Sequence, residues 1–240
     1  MSTTTHHSKA GLETFDDINI AYEHAYSNNP FKKSCITRAI SLLPPRSRVL
    51  DIGCGTGIPV SEMLSRAGLE VVGFDISPKM VALAKSRVQG TFSVSDMVDF
   101  KVQGTFAGAF MIFSHLQMSY AAVHEAVYKF VSALEPGGIF VIGQTPADTY
   151  VGEEEVYDET GTYVEDFNIP FMGEALPTFA MSEEGQRKFL SSMGLEIVSE
   201  TVDVFQPDNP KCEPEVQQYI IARRPIEGSI SRPQPMPREI

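Results

Sequence analysis

Hydrophobic and polar positions along the middle of this chain follow two alternating patterns. Short apolar runs are interleaved with stretches in which apolar residues recur every three or four positions. The first pattern predicts buried strands and the second predicts amphipathic helices. The predicted strands are 48–52, 70–75, 91–95, 108–113 and 139–143. Their alternation with helices predicts an α/β fold, with a doubly wound parallel sheet and helices on both faces.

Capping residues mark where several of these helices begin and end. Ser77 followed by Pro78, Ser119 and Ser182 are each predicted to cap a helix, and Gly194 is predicted to end the last one. Two further runs, 195–205 and 217–223, predict an antiparallel pair that closes the sheet.

The alternation is confined to part of the chain, which predicts one domain over residues 13–224. Its N-terminal part, 13–46, is predicted to be a helical cap. Residues 145–181 are acidic and follow the fifth strand, and we expect an irregular lid or substrate-binding insertion there. Residues 1–12 are predicted to be a disordered tail, and residues 225–240 a flexible one.

A glycine-rich turn follows the first predicted strand. Asp51 ends this strand, and Gly53, Gly55 and Gly57 then recur at every second position. Asp75 ends the second strand. A strand, a glycine turn, a helix and an acid at the next strand end describe a nucleoside-binding βαβ unit. The third glycine comes one residue too early for a dinucleotide fingerprint, and no Gly-Lys-Ser/Thr of a P-loop follows.

Composition and charge argue against several classes of partner. The 240 residues carry a net charge of −12, and no Lys/Arg stripe is present, so we expect neither a nucleic-acid nor an anionic membrane partner. The chain has no long apolar run and no signal-peptide pattern, which predicts a cytoplasmic protein. Its three scattered cysteines and five histidines lack ligand spacing, so we expect no metal.

The motifs together resemble those of the class I S-adenosylmethionine (SAM) methyltransferases. The resembling segments are 51–57, 73–78, 95–97 and the Pro-Gly-Gly at 136–138, in the order typical of that family, and the resemblance covers residues 20–223. It implies a Rossmann-like, seven-stranded sheet with an antiparallel last strand. Residues 113–117 and the segment through 171–173 are similar to small-molecule methyltransferases of secondary metabolism.

The resemblance implies SAM as the cofactor, S-adenosylhomocysteine (SAH) as its product, and a set of residues that hold them. Asp75 would bind the ribose hydroxyls, Asp96 the adenine amino group and Met97 a ring nitrogen through its backbone, and Asp51 would accept hydrogen bonds from nearby backbone or, through water, from the cofactor's amino group. The predicted cofactor-binding residues are Tyr22, Asp51, Gly53, Cys54, Gly55, Gly57, Asp75, Ile76, Met80, Asp96, Met97, Phe113 and Ser114.

The substrate side is less defined by the motifs. Tyr22 and Tyr26 lie four residues apart and share a helix face, so either at least one touches the cofactor or both only pack the helix. His115 is the candidate general base, and its alternative role is to line the pocket or bond at a strand end. The predicted substrate-binding residues are Tyr26, Phe31, His115, Gln117 and Phe171.

These observations predict an enzyme that moves the SAM methyl group to a small metabolite. We expect an oxygen acceptor (phenol, carboxyl or hydroxyl) rather than nitrogen, and a monomer or homodimer. A SAM-binding enzyme of another reaction, such as a cyclisation, a protein methyltransferase and a non-catalytic binding protein remain open alternatives. Binding of SAM without loss of its methyl group would indicate a SAM-binding enzyme of another reaction.

Overall fold

A computed structural model describes residue 16, residues 20–152 and residues 156–238 of the chain. Within these residues the strands are β1 (Arg48–Ile52), β2 (Glu70–Asp75), β3 (Thr91–Val94), β4 (Phe106–Ile112), β5 (Leu134–Gln144), β6 (Tyr163–Phe171), β7 (Glu174–Met181), β8 (Glu196–Phe205) and β9 (Glu215–Arg223). The helices are α1 (20–26), α2 (Pro30–Ile40), α3 (Val60–Arg66), α4 (Pro78–Arg87), α5 (Tyr120–Ser132) and α6 (Glu183–Ser192). The predicted disordered tail, 1–12, lies outside the described residues.

Seven of these strands form one twisted sheet in the order β3-β2-β1-β4-β5-β9-β8. The strands β1 to β5 pair in parallel, whereas β9 pairs antiparallel with both β5 and β8. The predicted Rossmann-like sheet with an antiparallel last strand is confirmed. Because the chain moves outward from β1 in two directions, a crevice forms between the ends of β1 and β4.

The pleat of each strand supplies side chains to both faces of the sheet. In β4, Ala109 and Met111 point to the face covered by α5 and α6, and Phe110 points to the face covered by α2, α3 and α4. All three side chains are almost fully buried. The two hydrophobic cores therefore pack on opposite faces of the sheet and fix the positions of its strand ends.

Side-chain caps hold the helix starts at the predicted positions. The hydroxyl of Ser77 accepts from the amide of Met80 at 3.1 Å, and the hydroxyl of Ser182 accepts from the amide of Gly185 at 2.9 Å. Ser119 caps α5 in the same way. Asn29 caps α2 by accepting from Lys32 N at 3.0 Å.

The segment after β5 is more regular than we expected. Residues 145–181 were predicted to be irregular, but β6 and β7 pair as an antiparallel hairpin with its turn at Met172 and Gly173. Two prolines and many charged residues mask the period of two in this sequence, and a two-stranded ribbon tolerates proline because both strands are edges. At its base Tyr163 stacks on Tyr120 of α5, with ring centroids 3.9 Å apart.

The described part of the predicted flexible tail, 225–238, has no helix or strand but packs against α5 and α6. The Nε2 atom of His124 lies 2.9 Å from the carbonyl oxygen of Pro233, and the Gln234 amide donates to the Ser192 hydroxyl at 2.8 Å. The Tyr120 hydroxyl donates to the carbonyl of Pro235. No sequence motif indicated these contacts.

Candidate functional site

A large cavity lies at the carboxyl ends of β1, β2 and β4, in the crevice where the strand order reverses. It encloses about 1060 Å³, solvent-connected space included. It is lined by Tyr22, Lys32, Gly53, Cys54, Gly55, Thr56, Ile58, Pro59, Val60, Phe74, Asp75, Ile76, Met80, Ser95, Asp96, Met97, Ile112, Phe113, Ser114, Gln117 and Met118. Of the predicted cofactor-binding residues, all but Asp51 and Gly57 line it. We call it the first cavity.

Glycine is required at the three positions of the turn for two different reasons. A Cβ at Gly53 would lie 2.3 Å from the Cβ of Ser114, and one at Gly57 would lie 3.0 Å from Val88. A Cβ at Gly55 would meet no protein atom, and Gly55 has a φ of +53°. Gly53 and Gly57 therefore allow close packing within the protein, and Gly55 keeps the wall of the cavity free of side chain.

Asp75 links the turn to the next helix. One of its carboxylate oxygens accepts from the amide of Gly55 at 2.9 Å, and the other accepts from the amide of Ser77 at 2.9 Å. Burial raises the pKa of Asp75, and the two backbone amides oppose this rise. Each carboxylate oxygen keeps a second lone pair, so the group can still accept hydrogen bonds from a ligand in the cavity.

Asp96 presents an unused acceptor on the neighbouring strand end. Its Oδ1 accepts from the amide of Val98 at 2.8 Å, whereas its buried Oδ2 has no hydrogen-bond partner among the described residues. A buried acceptor without a partner is costly, and a ligand that donates a hydrogen bond would satisfy it. Ile76, Met80 and Met97 supply apolar surface close by.

Asp51 lies beneath the turn rather than on the cavity wall. It is 3% exposed and accepts from the hydroxyl of Ser61 at 2.5 Å. Burial raises its pKa to about 7, and the hydrogen bond from Ser61 opposes this rise. Its contact with Ser61 supports a structural role at the turn, and contact with a cofactor remains a prediction.

Phe113 and Ser114, just after β4, form the opposite wall. Phe113 has a φ of +57°, which is uncommon for a residue with a side chain, and its amide donates to the carbonyl of Gly143 at 2.9 Å. The Ser114 hydroxyl donates to the carbonyl of Ile52 at 2.6 Å. This hydrogen bond ties the end of β4 to the glycine turn.

Lys32 is a site residue that the sequence analysis missed. It is 4% exposed, and its ammonium lies 5.3 Å from the ring centroid of Phe113 and 5.9 Å from that of Tyr26. Burial lowers its pKa to about 8, while Glu215 and Asp51 favour its charged form. No motif marks a lone lysine on a capped helix, so only the fold reveals that it reaches the cavity.

A second cavity adjoins the first and shares Tyr22, Phe113 and Gln117 with it. Its volume is about 520 Å³, solvent-connected space included, and it is lined by Tyr22, Tyr26, Phe113, Leu116, Gln117, Thr145, Ile169, Pro170, Phe171, Thr178 and Glu215. Three of the predicted substrate-binding residues, Tyr26, Gln117 and Phe171, thus meet here. Phe31 instead packs among the apolar residues around Tyr26.

His115 lines neither cavity. It is fully buried, and neither ring nitrogen has a hydrogen-bond partner among the described residues. Its ring makes an edge contact with Phe179, with centroids 6.2 Å apart. Burial lowers the pKa of His115 to about 4, so the imidazole is neutral at pH 7. This location does not favour His115 as a base for a ligand in either cavity.

Among the described residues, no group of three or more His, Cys, Asp or Glu side chains is placed to hold a metal ion. No helix among them is both long and apolar enough to cross a membrane.

The family comparison now bears on this site. The family model for a methyltransferase domain matches residues 49–138, which include the glycine turn, Asp75 and Asp96. Residues 49–138 are therefore similar to a methyltransferase domain, in agreement with the resemblance of the motifs.

Two curated relatives each match about half of the chain. A ubiquinone biosynthesis O-methyltransferase of Xanthomonas campestris pv. campestris is 30% identical over 50% of this chain and 52% of its own length. A dTDP-3-amino-3,4,6-trideoxy-alpha-D-glucopyranose N,N-dimethyltransferase of Streptomyces venezuelae is 31% identical over 48% of this chain and 52% of its own length. The chain thus spans about half the length of these relatives.

A solved structure extends the likeness of the methyltransferase domain to the whole fold. The magnesium protoporphyrin IX methyltransferase of Synechocystis, crystallised with SAM, aligns with a TM-score of 0.65 over 93% of this chain and 100% of that chain. The sequences are 16% identical in this alignment. At this level of identity the likeness concerns the fold.

Proposed function

We propose that this chain is a SAM-dependent methyltransferase that acts on a small molecule, with SAM in the first cavity. The observation that carries the proposal is the pair of acids at adjacent strand ends, Asp75 and Asp96, beside a glycine turn whose wall is free of side chain at Gly55. The unpartnered Oδ2 of Asp96 is the acceptor that an adenine amino group would satisfy.

The cavity residues divide into three groups in this proposal. Asp75 accepts hydrogen bonds from the ribose hydroxyls, and Asp96 and the Met97 amide bind the adenine edge. Ile76 and Met80 cover the faces of the adenine. Lys32, the one Lys or Arg among the described residues that line the first cavity, binds the carboxylate of the methionine part.

In methyl transfer from SAM, the protein mainly has to position the cofactor and the acceptor. When bound, SAM would supply an activated methyl group, and transfer of this group to the acceptor would leave SAH. The chain holds the acceptor in line, and the walls formed by Phe113 and the aromatic residues of the second cavity exclude water.

We place the acceptor in the second cavity and favour oxygen over nitrogen as the accepting atom. The relatives include both an O- and an N-methyltransferase, so the preference rests on the site. A buried lysine lies at the wall between the cavities, where it disfavours a cationic amine.

Calorimetric titration with SAM and separately with SAH tests the proposal. We expect micromolar binding of both and, with an accepted substrate, the appearance of SAH in step with a methylated product. Binding of SAM without methyl transfer to any phenol or alcohol would favour an enzyme of another reaction, such as a cyclisation. Absence of binding of either compound would overturn the proposal.

A further inference from the structure

The second cavity contains the carboxylate of Glu215, which has no role in the proposed binding of the cofactor. Glu215, the first residue of β9, carries the only carboxyl group among the described residues that line this cavity. It is half-buried, and its Oε1 accepts from the Nε2 of Gln217 at 2.7 Å. Gln217 is held in turn by Asn29 and Tyr219, so the carboxylate is fixed in place.

The surroundings of Glu215 are aromatic. The rings of Tyr26 and Phe171 are near-parallel, with centroids 6.2 Å apart, and Tyr22 stacks on Tyr26 at 4.8 Å. Tyr26, Phe171 and Tyr22 all line the cavity. Flat walls of this kind favour a flat, mostly apolar ligand.

The charges of Lys32 and Glu215 limit which polar group a ligand of this cavity can carry. The Lys32 ammonium lies 5.3 Å from the Phe113 centroid and 5.9 Å from the Tyr26 centroid, so a ligand cation at these rings would lie near a like charge even while Lys32 also pairs with the cofactor carboxylate. A ligand anion would meet the Glu215 carboxylate. A neutral group that donates a hydrogen bond suits both side chains.

We propose that the second cavity binds a neutral aromatic molecule that bears a hydroxyl group, and that Glu215 is the catalytic base that takes the hydroxyl proton. This inference rests on the proposed function and assigns to Glu215 the role that the sequence suggested for His115. The acceptor O–H bond breaks, its proton moves to a carboxylate oxygen of Glu215, and its electron pair stays on the oxygen that takes the methyl group.

The electrostatic state of Glu215 suits this role. Burial raises its pKa, and Gln217, Lys32 and Tyr26 oppose the rise. A carboxylate whose pKa is raised holds a proton better than an exposed one, which makes it a stronger base.

Four probes of similar size test the assignment by binding to protein saturated with SAH: p-cresol, 4-methylanisole, benzylamine and benzoate. We expect p-cresol to bind at least about fivefold tighter than each of the others, because only it donates a hydrogen bond without a charge. In Glu215→Gln, p-cresol should lose most of its advantage over 4-methylanisole. The exposed Glu213, which lines neither cavity, provides the matched control Glu213→Gln, which should keep the advantage.

Each other outcome counts against the proposal. Tighter binding of benzylamine or benzoate, equal binding of p-cresol and 4-methylanisole, no binding of any probe, or an advantage unchanged in Glu215→Gln overturns it while leaving the cofactor site intact. Failure of SAH to bind overturns the proposed function, and this inference with it. If Glu215→Gln does not fold by its melting curve, Glu215→Asp, which withdraws the carboxylate by one methylene, should show the same loss.

Discussion

Asp75 connects the glycine turn with the first cavity, and its proposed role can be measured directly. Replacement of Asp75 by Ala removes the acceptor proposed for both ribose hydroxyls, and it also frees the amides of Gly55 and Ser77. We expect the dissociation constant for SAH to rise at least about tenfold, since charge-assisted hydrogen bonds are lost. Calorimetry measures this constant, and circular dichroism checks that the variant is folded.

A carboxylate at the other end of the same strand provides the control. Glu70 begins β2, its side chain is 67% exposed, and it pairs with Arg48. Glu70→Ala should leave the affinity for SAH within about twofold, because an exposed ion pair is weak and far from the cavity. An unchanged dissociation constant in Asp75→Ala would remove Asp75 from the cofactor site.

Lys32 gives a pH-dependent prediction. Its pKa is lowered to about 8, so the side chain is charged below this pH and loses its charge as the pH rises through it. At pH 7 we expect Lys32→Met to weaken SAH binding about tenfold through loss of the ion pair with the carboxylate. The difference between wild type and variant should shrink towards pH 9.5. Titrations at both pH values test this, with Lys33→Met, whose side chain bonds to Asn28, as control.

A difference that is the same at both pH values would contradict a charge-based role for Lys32. A variant that binds SAH like the wild type at pH 7 would assign the carboxylate to another group. Lys33→Met should resemble the wild type throughout, because Lys33 lines neither cavity.

Predicted site residues that follow a local motif meet at the first cavity. Asp75 and Asp96 end strands next to a glycine turn, and both line the first cavity, as does Gly55. Lys32 and Glu215 come from distant parts of the chain, with no shared motif, and the fold brings them together. Local pattern therefore predicts part of the lining of the first cavity, whereas the approach of Lys32 to Glu215 depends on tertiary packing.

At the scale of elements, the β6–β7 hairpin joins the core to the second cavity. Its base packs into the core, where Phe179 N donates to the carbonyl of Leu116 at 2.7 Å, and its far end supplies Ile169, Pro170 and Phe171 to the cavity. Replacement of residues 168–177 by an Asn-Gly turn removes only the far end. We expect cooperative melting and SAH binding to persist, while p-cresol binding weakens at least about tenfold through loss of buried apolar contacts.

Melting and ligand binding separate the two roles of the hairpin. If the shortened chain no longer melts cooperatively, the far end belongs to the core and does not act as a substrate lid. If p-cresol binds as before, the far end is not part of the acceptor pocket. A deletion of 150–166 is a poorer test, because it would remove Tyr163 and its stacking on Tyr120.

Elements with strong local signals were predicted close to their observed bounds. The helix after Ser77 begins at a capping residue, and the strand after Leu69 is a short apolar run. Both elements have clear boundaries in the sequence. The hairpin was missed because Pro170, Pro177 and the acidic residues within β6 and β7 hide the alternation. Pairing between strands is a non-local property, so a single sequence shows it weakly when neither face is continuously apolar.

At the scale of the whole molecule, the C-terminal segment covers two helices whose residues line neither cavity. Tyr120, which is 1% exposed, and the fully buried His124 each bond to a backbone carbonyl of this segment. Deletion of residues 231–240 uncovers both side chains and removes these bonds. We expect the free energy of unfolding to fall by about 1–3 kcal/mol, with cooperative unfolding retained.

Urea unfolding with and without the segment measures this loss, and Arg232→Ala isolates the charged part of it. Arg232 pairs with Glu125, and both side chains are about half exposed, so this substitution alone should cost less than about 1 kcal/mol. A loss as large as that of the deletion would show that the ion pair, rather than the buried bonds, holds the segment. The affinity for SAH should stay within about threefold in both variants, because residues of this segment line neither cavity. A larger change would mean that packing at α5 and α6 is transmitted through the sheet to the strand ends where the cofactor is proposed to bind.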